Sequence, residues 1–273
     1  MINFIVFSKD RAAQLDLFIR SAKICFKEFD DVEIKVLYKY SNDDFKLGYE
    51  KLISNNKYRN ISFLNETDFR TNLINFLNPT NRYTVFFLDD NVFINPFSLK
   101  DSIFETLYQE NMLCVSLRLN PNLTYCYPAS LNLKKPNIFY KNDNYNQINW
   151  SRELHNGDYG YPMSVDGHVY LTSDIQPYIL NLQYRNPNDL EGQMARQPLF
   201  RKNIMSFYNY SIIFNNPLNK VQTNNPNKHG SISAESINSI YINNDSHKQI
   251  KYNMLGFNNS ACHQEFEIEF EIC

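Results

Sequence analysis

Apolar positions in the first half of the chain alternate between two periods. Ile2-Asn3-Phe4-Ile5-Val6-Phe7 is a short, nearly continuous apolar run and reads as a first strand. From about Ala12 the period lengthens, and Leu15, Phe18, Ile19, Ala22 and Phe26 share one face at helical spacing. The exchange then repeats. A strand is predicted over residues 32–38, a helix over 43–53 with Phe45, Tyr49 and Leu52 inward, and a strand over 61–64. Next comes a helix carrying Leu73, Phe76 and Leu77, which Asp68 caps and Pro79 ends. Tyr83-Thr84-Val85-Phe86-Phe87-Leu88 suits a central strand covered on both faces, and it stops abruptly at Asp89-Asp90-Asn91. A helix over 99–110 and a strand over 112–119 close this half.

This alternation predicts an α/β fold with a mostly parallel central sheet, flanked by helices and joined by right-handed crossovers. Ligands of such sheets sit at the carboxyl ends of the strands, where Lys9-Asp10-Arg11 and Asp89-Asp90-Asn91 both fall. From 120 to about 161 the pattern dissolves into Asn, Pro and Tyr, as in a long loop or an insertion with some structure of its own. Order returns with a strand over 163–171, a helix over 173–182 and another helix beginning near Asn188. A strand over 207–214, a polar loop over 215–231, a short helix over 234–241 and a closing strand over 266–272 follow. No repeat or linker interrupts the chain. It therefore reads as one domain, 1–273, with a half over 1–119 and a smaller subregion over 120–273.

Composition narrows the function. Hydrophobic residues make up 43% and aromatics 15% of 273 residues, enough for a packed core. A formal charge of −2 excludes the strong basic excess of a nucleic-acid binder, while leaving room for a small basic pocket. The five cysteines form no CxxC pair; Cys25 and Cys114 read as buried hydrophobes, and the set points to a reducing cytoplasm. The first apolar run is too short for a signal peptide, and no stretch nears the ~18 apolar residues of a membrane span. Peripheral membrane contact is compatible with this. The abundance of Asn, Ile, Lys and Tyr fits an AT-rich, bacterial genome.

Two adjacent carboxylates at a strand end repel one another unless something positive meets them. Mn²⁺ or Mg²⁺, which bind through one or two carboxylates and substrate phosphates, would satisfy Asp89 and Asp90; a plain turn with capping carboxylates is the alternative. Lys9 and Arg11 suit a phosphate, or form a solvated helix start capped by Ser8 or Asp10. Asp166-Gly167-His168 interrupts an apolar strand with polar side chains, and Gly167 permits a close approach. Asn186-Pro187-Asn188-Asp189-Leu190-Glu191 is a helix start that would fix its carboxylates. Glu66 and Asp68 suit base recognition or ordinary capping, and Arg118 either touches a donor sugar or pairs with a carboxylate. Trp150, amid Tyr145, Tyr159 and Tyr161, forms an aromatic platform for an acceptor sugar or packs in the core.

In order and separation these segments resemble bacterial glycosyltransferases of the GT-A fold, family-2-like. The carriers are Phe-Phe-Leu-Asp-Asp-Asn with its DxD-type ending, Tyr161-Pro162-Met163-Ser164-Val165-Asp166-Gly167-His168, and the Asn-Pro-Asn…Glu element. The third position, Asn91, departs from a strict DxD. The resemblance implies a Rossmann-like nucleotide-sugar half over 1–119 and an acceptor side over 120–273. The donor, of UDP or GDP type, falls to Ser8, Lys9, Asp10, Arg11, Glu66, Asp89 and Arg118. Asp90, Asp89, Asn91 and His263 fall to the metal, and His168 and Trp150 to a carbohydrate or lipid-linked acceptor. Glu191, then Asp166, then Asp189 is the general base. It further implies cytoplasmic synthesis of surface polysaccharide. A nucleotidyltransferase would normally show a Gly-rich loop after the first strand, which is absent here. A non-catalytic sugar-nucleotide binder is the other alternative.

Overall fold

The structure is a computed structural model and describes residues 1–221, 228–243 and 248–272. It opens with β1 (Ile2–Lys9), α1 (Ala12–Cys25), β2 (Ile34–Lys39), α2 (Asp43–Asn55), β3 (Ile61–Asn65), α3 (Phe69–Phe76) and β4 (Tyr83–Leu88). The middle holds β5 (Asn91–Phe93), β6 (Met112–Ser116), β7 (Tyr125–Cys126), β8 (Leu131–Asn132), β9 (Ile138–Lys141) and β10 (Tyr145–Asn149). There follow β11 (His168–Leu171), α4 (Thr172–Asn181), α5 (Pro187–Arg196), β12 (Ile204–Tyr208), β13 (Ile213–Asn215), α6 (Ala234–Asn243), β14 (Lys248–Tyr252) and β15 (Ile268–Ile272).

Nine strands form the central sheet in the order β3-β2-β1-β4-β11-β6-β12-β10-β9. Only β11 and β10 run against their neighbours; the other seven share one direction. The fold is thus mixed α/β around a large, mostly parallel sheet, as the alternating periods predict. Side chains alternate across it. Phe4, Val6, Val85 and Phe87 join the core beneath α1, α2 and α6, while Ile5, Phe7 and Phe86 join the opposite core with residues of α3, α4 and α5. Burial on both faces explains why β1 and β4 carry almost unbroken apolar sequence. Each such side chain contributes about 1.5–3 kcal/mol.

Local chemistry sets the helix starts. Asn42 accepts from the Phe45 amide (3.0 Å), Asp68 from Thr71 (2.8 Å) and Asn186 from Asp189 (2.9 Å), the last with Pro187 in the first helical position. Four expectations change. The helix over 99–110 is a 3₁₀ turn at Ser102–Tyr108, too short to offset α-helix nucleation, with Thr106 bonding back to Ile103 O (2.6 Å). The strand over 163–171 begins only at His168, because Gly167 has φ +66°. The strand over 207–214 divides at residues 209–212, and β13 leaves the main sheet to pair with β5. The closing strand pairs with β14 in a separate two-stranded sheet.

The irregular stretch over 120–161 supplies β9 and β10, which extend the central sheet, so strands of both sequence halves share it. Residues 222–227 of the expected polar loop, and Cys273, lie outside the described residues. Cys25, Cys114, Cys126 and Cys262 are free and buried. Among the described residues no helix is long and apolar enough to cross a membrane.

Candidate active site

Parallel pairing of β1 with β4 sets Phe7 opposite Leu88, so the segments following both strands meet at one rim. There the chain reverses at Asp10, whose φ of +56° is stabilised by its carboxylate accepting from the Ser41 amide (2.7 Å) and the Ser41 hydroxyl. The reversal starts α1 at Arg11 and sends that side chain across the rim to the β4 end. Arg11 Nη1 lies 3.1 Å from Asp89 Oδ1 and 3.2 Å from Asp90 Oδ2. Its Nε donates to Asn219 Oδ1 (2.7 Å), and Nη2 donates to the Asn219 carbonyl.

The remaining carboxylate oxygens are also engaged. Asp89 Oδ2 accepts from the Lys9 amide (3.1 Å), and Asp90 Oδ1 accepts from Asn215 Nδ2 (3.0 Å). Burial nevertheless raises the pKa of both groups against the pull of Arg11. Asp90 is pushed up to about 6, with the neighbouring charges of Asp89 and Asp166 adding to the burial effect. One guanidinium leaves this pair short of positive charge.

The rim opens into a cleft of about 380 Å³. Phe7, Leu37, Phe69 and Leu88 provide apolar wall. Lys9, Arg11, Lys39, Arg185, Lys220 and Lys228 outnumber the acids Glu66, Asp89 and Asp90, so a chain of net charge −2 carries a locally cationic cleft. Glu66 is bonded to Lys39 (2.9 Å). Ser8 lines the cleft and shares a hydrogen bond with Tyr49 OH (2.7 Å). His263 also lines it, aligned beside Asn215 by a backbone bridge. Its Nδ1 has no partner among the described residues, and burial, with Arg118 nearby, lowers its pKa to about 4. The ring is therefore neutral.

Asn91 turns inward and is fully buried. Its Oδ1 accepts from the Leu88 amide (2.9 Å), and its Nδ2 donates to Asp166 Oδ1 (2.8 Å). Asp166 Oδ2 pairs with Arg118 Nη1 (2.9 Å), and Arg118 Nη2 approaches Asp158 (3.9 Å). Asp166 and Arg118 thus stand behind the rim, not on the cleft wall. Glu191 Oε1 accepts from Ser164 Oγ (2.8 Å) and the Val165 amide (3.1 Å), and burial raises its pKa. Asp189 sits in the first turn of α5, 3.7 Å from the exposed Arg185. His168 and Trp150 are both fully buried. His168 meets Pro162 O (3.2 Å), and Trp150 donates to Lys202 O (2.8 Å), so neither reaches the cleft in this arrangement. Asp68 is the cap of α3.

The structure therefore gathers Ser8, Lys9, Arg11, Glu66, Asp89, Asp90 and His263, and it sets Asn91, Arg118, Asp166, His168 and Trp150 in the interior. Sequence reading assigned no role to Asn215 and Asn219, which hold Asp90 and Arg11, or to Lys39, Lys220 and Lys228. The available signal was the polar cluster Asn215-Asn216-Pro217-Leu218-Asn219-Lys220 directly after an apolar strand. Among the described residues, no three His, Cys, Asp or Glu side chains gather to hold a metal. Two carboxylates do converge on one positive centre, which suffices for an ion whose other ligands are phosphate oxygens and water.

Fold and site together define an α/β protein with a cationic cleft at the carboxyl ends of its parallel strands. Among curated proteins, the bifunctional glycosyltransferase pgtA of Dictyostelium discoideum is 27% identical over 296 residues, covering 96% of this chain. The chain spans 38% of that relative's length. No known family's sequence model matches. Similar solved structures include the mannosyltransferase PcManGT of Pyrobaculum calidifontis in complex with GDP-Man and Mn²⁺, with TM-score 0.38 and 11% identity. That alignment covers 75% of this chain and 56% of the other. The galactosyltransferase LgtC, with donor and acceptor sugar analogs, gives TM-score 0.34 and 12% identity, covering 76% of this chain and 87% of its own. Scores this low leave the assignment to the chain's own residues.

Proposed function

We propose that the chain is a GT-A-type glycosyltransferase, moving a sugar from a nucleoside-diphosphate donor to a carbohydrate or lipid-linked acceptor. The observation that carries this reading is the Asp89–Asp90 pair, buried and short of positive charge, at the mouth of a cationic cleft. The glycosyltransferase name of the Dictyostelium relative supports it. The apolar wall of Phe7, Leu37 and Phe69 would seat the base, while Lys9, Lys220 and Lys228 would balance the diphosphate. Asp89 and Asp90 would hold Mn²⁺ or Mg²⁺, which supplies Lewis-acid stabilisation of charge on the departing nucleotide. His263, neutral and with an Nδ1 on the cleft unpartnered among the described residues, would bond the diphosphate or complete that site.

Glu191 remains the first choice for the base that takes the acceptor hydroxyl proton. Burial raises its pKa and so strengthens it as a proton acceptor, whereas both oxygens of Asp166 are committed to Asn91 and Arg118. Asp189 stands third. A role in surface polysaccharide synthesis, in a bacterial cytoplasm, belongs to the same reading.

The test is release of nucleoside diphosphate from UDP- and GDP-sugars with Mn²⁺ or Mg²⁺. Turnover lost in both Asp90→Asn and Glu191→Gln supports transfer. Nucleotide binding without turnover in the wild type would demote the chain to a binding module. No nucleotide binding by calorimetry would sink the reading altogether.

A further inference from the structure

Arg11 is the least expected element of the rim. A phosphate-binding arginine at the mouth of a cleft would be expected to reach into it, yet this guanidinium is folded back onto the two carboxylates. One nitrogen, Nη1, donates to both Asp89 Oδ1 (3.1 Å) and Asp90 Oδ2 (3.2 Å). The rest of the group is anchored to Asn219 through the side chain (2.7 Å) and the backbone carbonyl. Asp89 Oδ2 and Asp90 Oδ1 are held by the Lys9 amide and Asn215. Every carboxylate oxygen of the pair therefore already carries a protein donor. The only two that point to a common centre share the arginine.

We infer that Arg11 is a resident counter-cation that occupies the divalent-metal position until a diphosphate draws it away, so that metal and nucleotide bind cooperatively. The inference rests on the proposed metal-assisted reading of the same site and adds an order to it. Without ligand, Arg11 offsets the repulsion between two buried carboxylates, and a metal ion must displace a charged hydrogen-bonding group to enter. A diphosphate offers the guanidinium better partners, because phosphate accepts two parallel N–H bonds and carries more charge than a shared carboxylate edge. As Arg11 turns toward it, Asp89 Oδ1 and Asp90 Oδ2 are released together, facing the vacated position. Metal alone then binds weakly, and nucleotide and metal each strengthen the other by the same factor.

The experiment is calorimetric titration of the nucleotide-free chain with Mn²⁺, repeated with GDP, UDP or pyrophosphate present. Arg11→Gln should bind Mn²⁺ about 10- to 100-fold more tightly than wild type without nucleotide, the equivalent of one charged hydrogen bond no longer displaced. Its enhancement by nucleotide should be smaller than that of wild type. Asn219→Ala keeps every charge but removes the Nε acceptor, and should shift Mn²⁺ affinity the same way by a smaller factor. It also decides the matter should Arg11→Gln fail to fold. Mn²⁺ affinity unchanged or weakened in the folded variants would overturn the inference, as would absence of Mn²⁺ binding in all of them. Tighter Mn²⁺ binding by Arg11→Gln without any nucleotide binding would overturn the glycosyltransferase reading together with the cooperative step, and leave only the place of Arg11 as counter-cation at the metal position.

Discussion

Asn91 Nδ2 donates to Asp166 Oδ1 at 2.8 Å, a bond that joins the start of β5 to a segment 75 residues later. The amide is required at this position because its two ends face opposite partners: the Leu88 amide needs an acceptor and Asp166 needs a donor. An acid here would set two carboxylates against each other in a buried site. Asn91→Asp should therefore destabilise the fold by more than Asn91→Ala, which itself should cost about 2–3 kcal/mol for a lost charged hydrogen bond and an unpaired amide. Urea unfolding of both variants checks the order. Equal stability of Asn91→Asp and wild type would refute it.

Arg118 is almost fully buried between Asp166 and Asp158, and its Nε has no partner among the described residues. Arg118→Met leaves two buried carboxylates without their cation. The expected loss is about 3–5 kcal/mol in denaturant unfolding. A loss below about 1 kcal/mol would mean that water already reaches this pair.

His168 provides a pH signature. Burial, and then the charge of Arg118, lower its pKa from 6.5 to about 3, and its Nε2 has no partner among the described residues. Above pH 6.5 the ring is neutral in both folded and unfolded chains. As pH falls through 6.5 the unfolded ring takes a proton that the folded ring refuses, so stability is lost down to about pH 3. The slope contributed by this group approaches about 1.4 kcal/mol per pH unit. His168→Asn keeps a donor toward Pro162 and should flatten the pH dependence of stability between pH 6 and 4, within the window between the two pKa values. Parallel wild-type and variant curves would contradict this.

Gly167 adopts φ +66° beside the Asp166 network, with its amide on Phe86 O (2.8 Å) and its carbonyl accepting from Leu117 (2.9 Å). A β-carbon there would meet Ile213 Cδ1 at 2.3 Å and Arg118 Cγ at 3.3 Å. Gly167→Ala should cost at least ~2 kcal/mol, combining left-handed strain with displacement of Ile213. Thermal unfolding checks it, and an unchanged midpoint would show that β11 can shift to relieve the contact.

Much of the framework was legible in the chain because local rules dictate it. The periods of Ile2–Lys9 and Tyr83–Leu88 announce doubly covered strands, Asp68 caps the helix it precedes, and strand ends place Lys9 and Asp89 on one rim. The short helices and strands were less legible. Residues 102–108 carry apolar spacing for a helix but too few residues to propagate one, and β13 turns to β5 because of pairing choices that no local pattern encodes.

Sequence alone determined the layered α/β arrangement and the meeting of an arginine-bearing turn with an acidic pair, since period and strand polarity are properties of neighbouring residues. Tertiary structure decided which polar groups face the cleft. Asn91, Asp166, Arg118, His168 and Trp150 were drawn inside, because each found partners there that offset the cost of leaving water. Asn215 and Asn219, distant in the chain, were brought to hold Asp90 and Arg11. Burial is a property of the whole packing, and no stretch of residues contains it in advance.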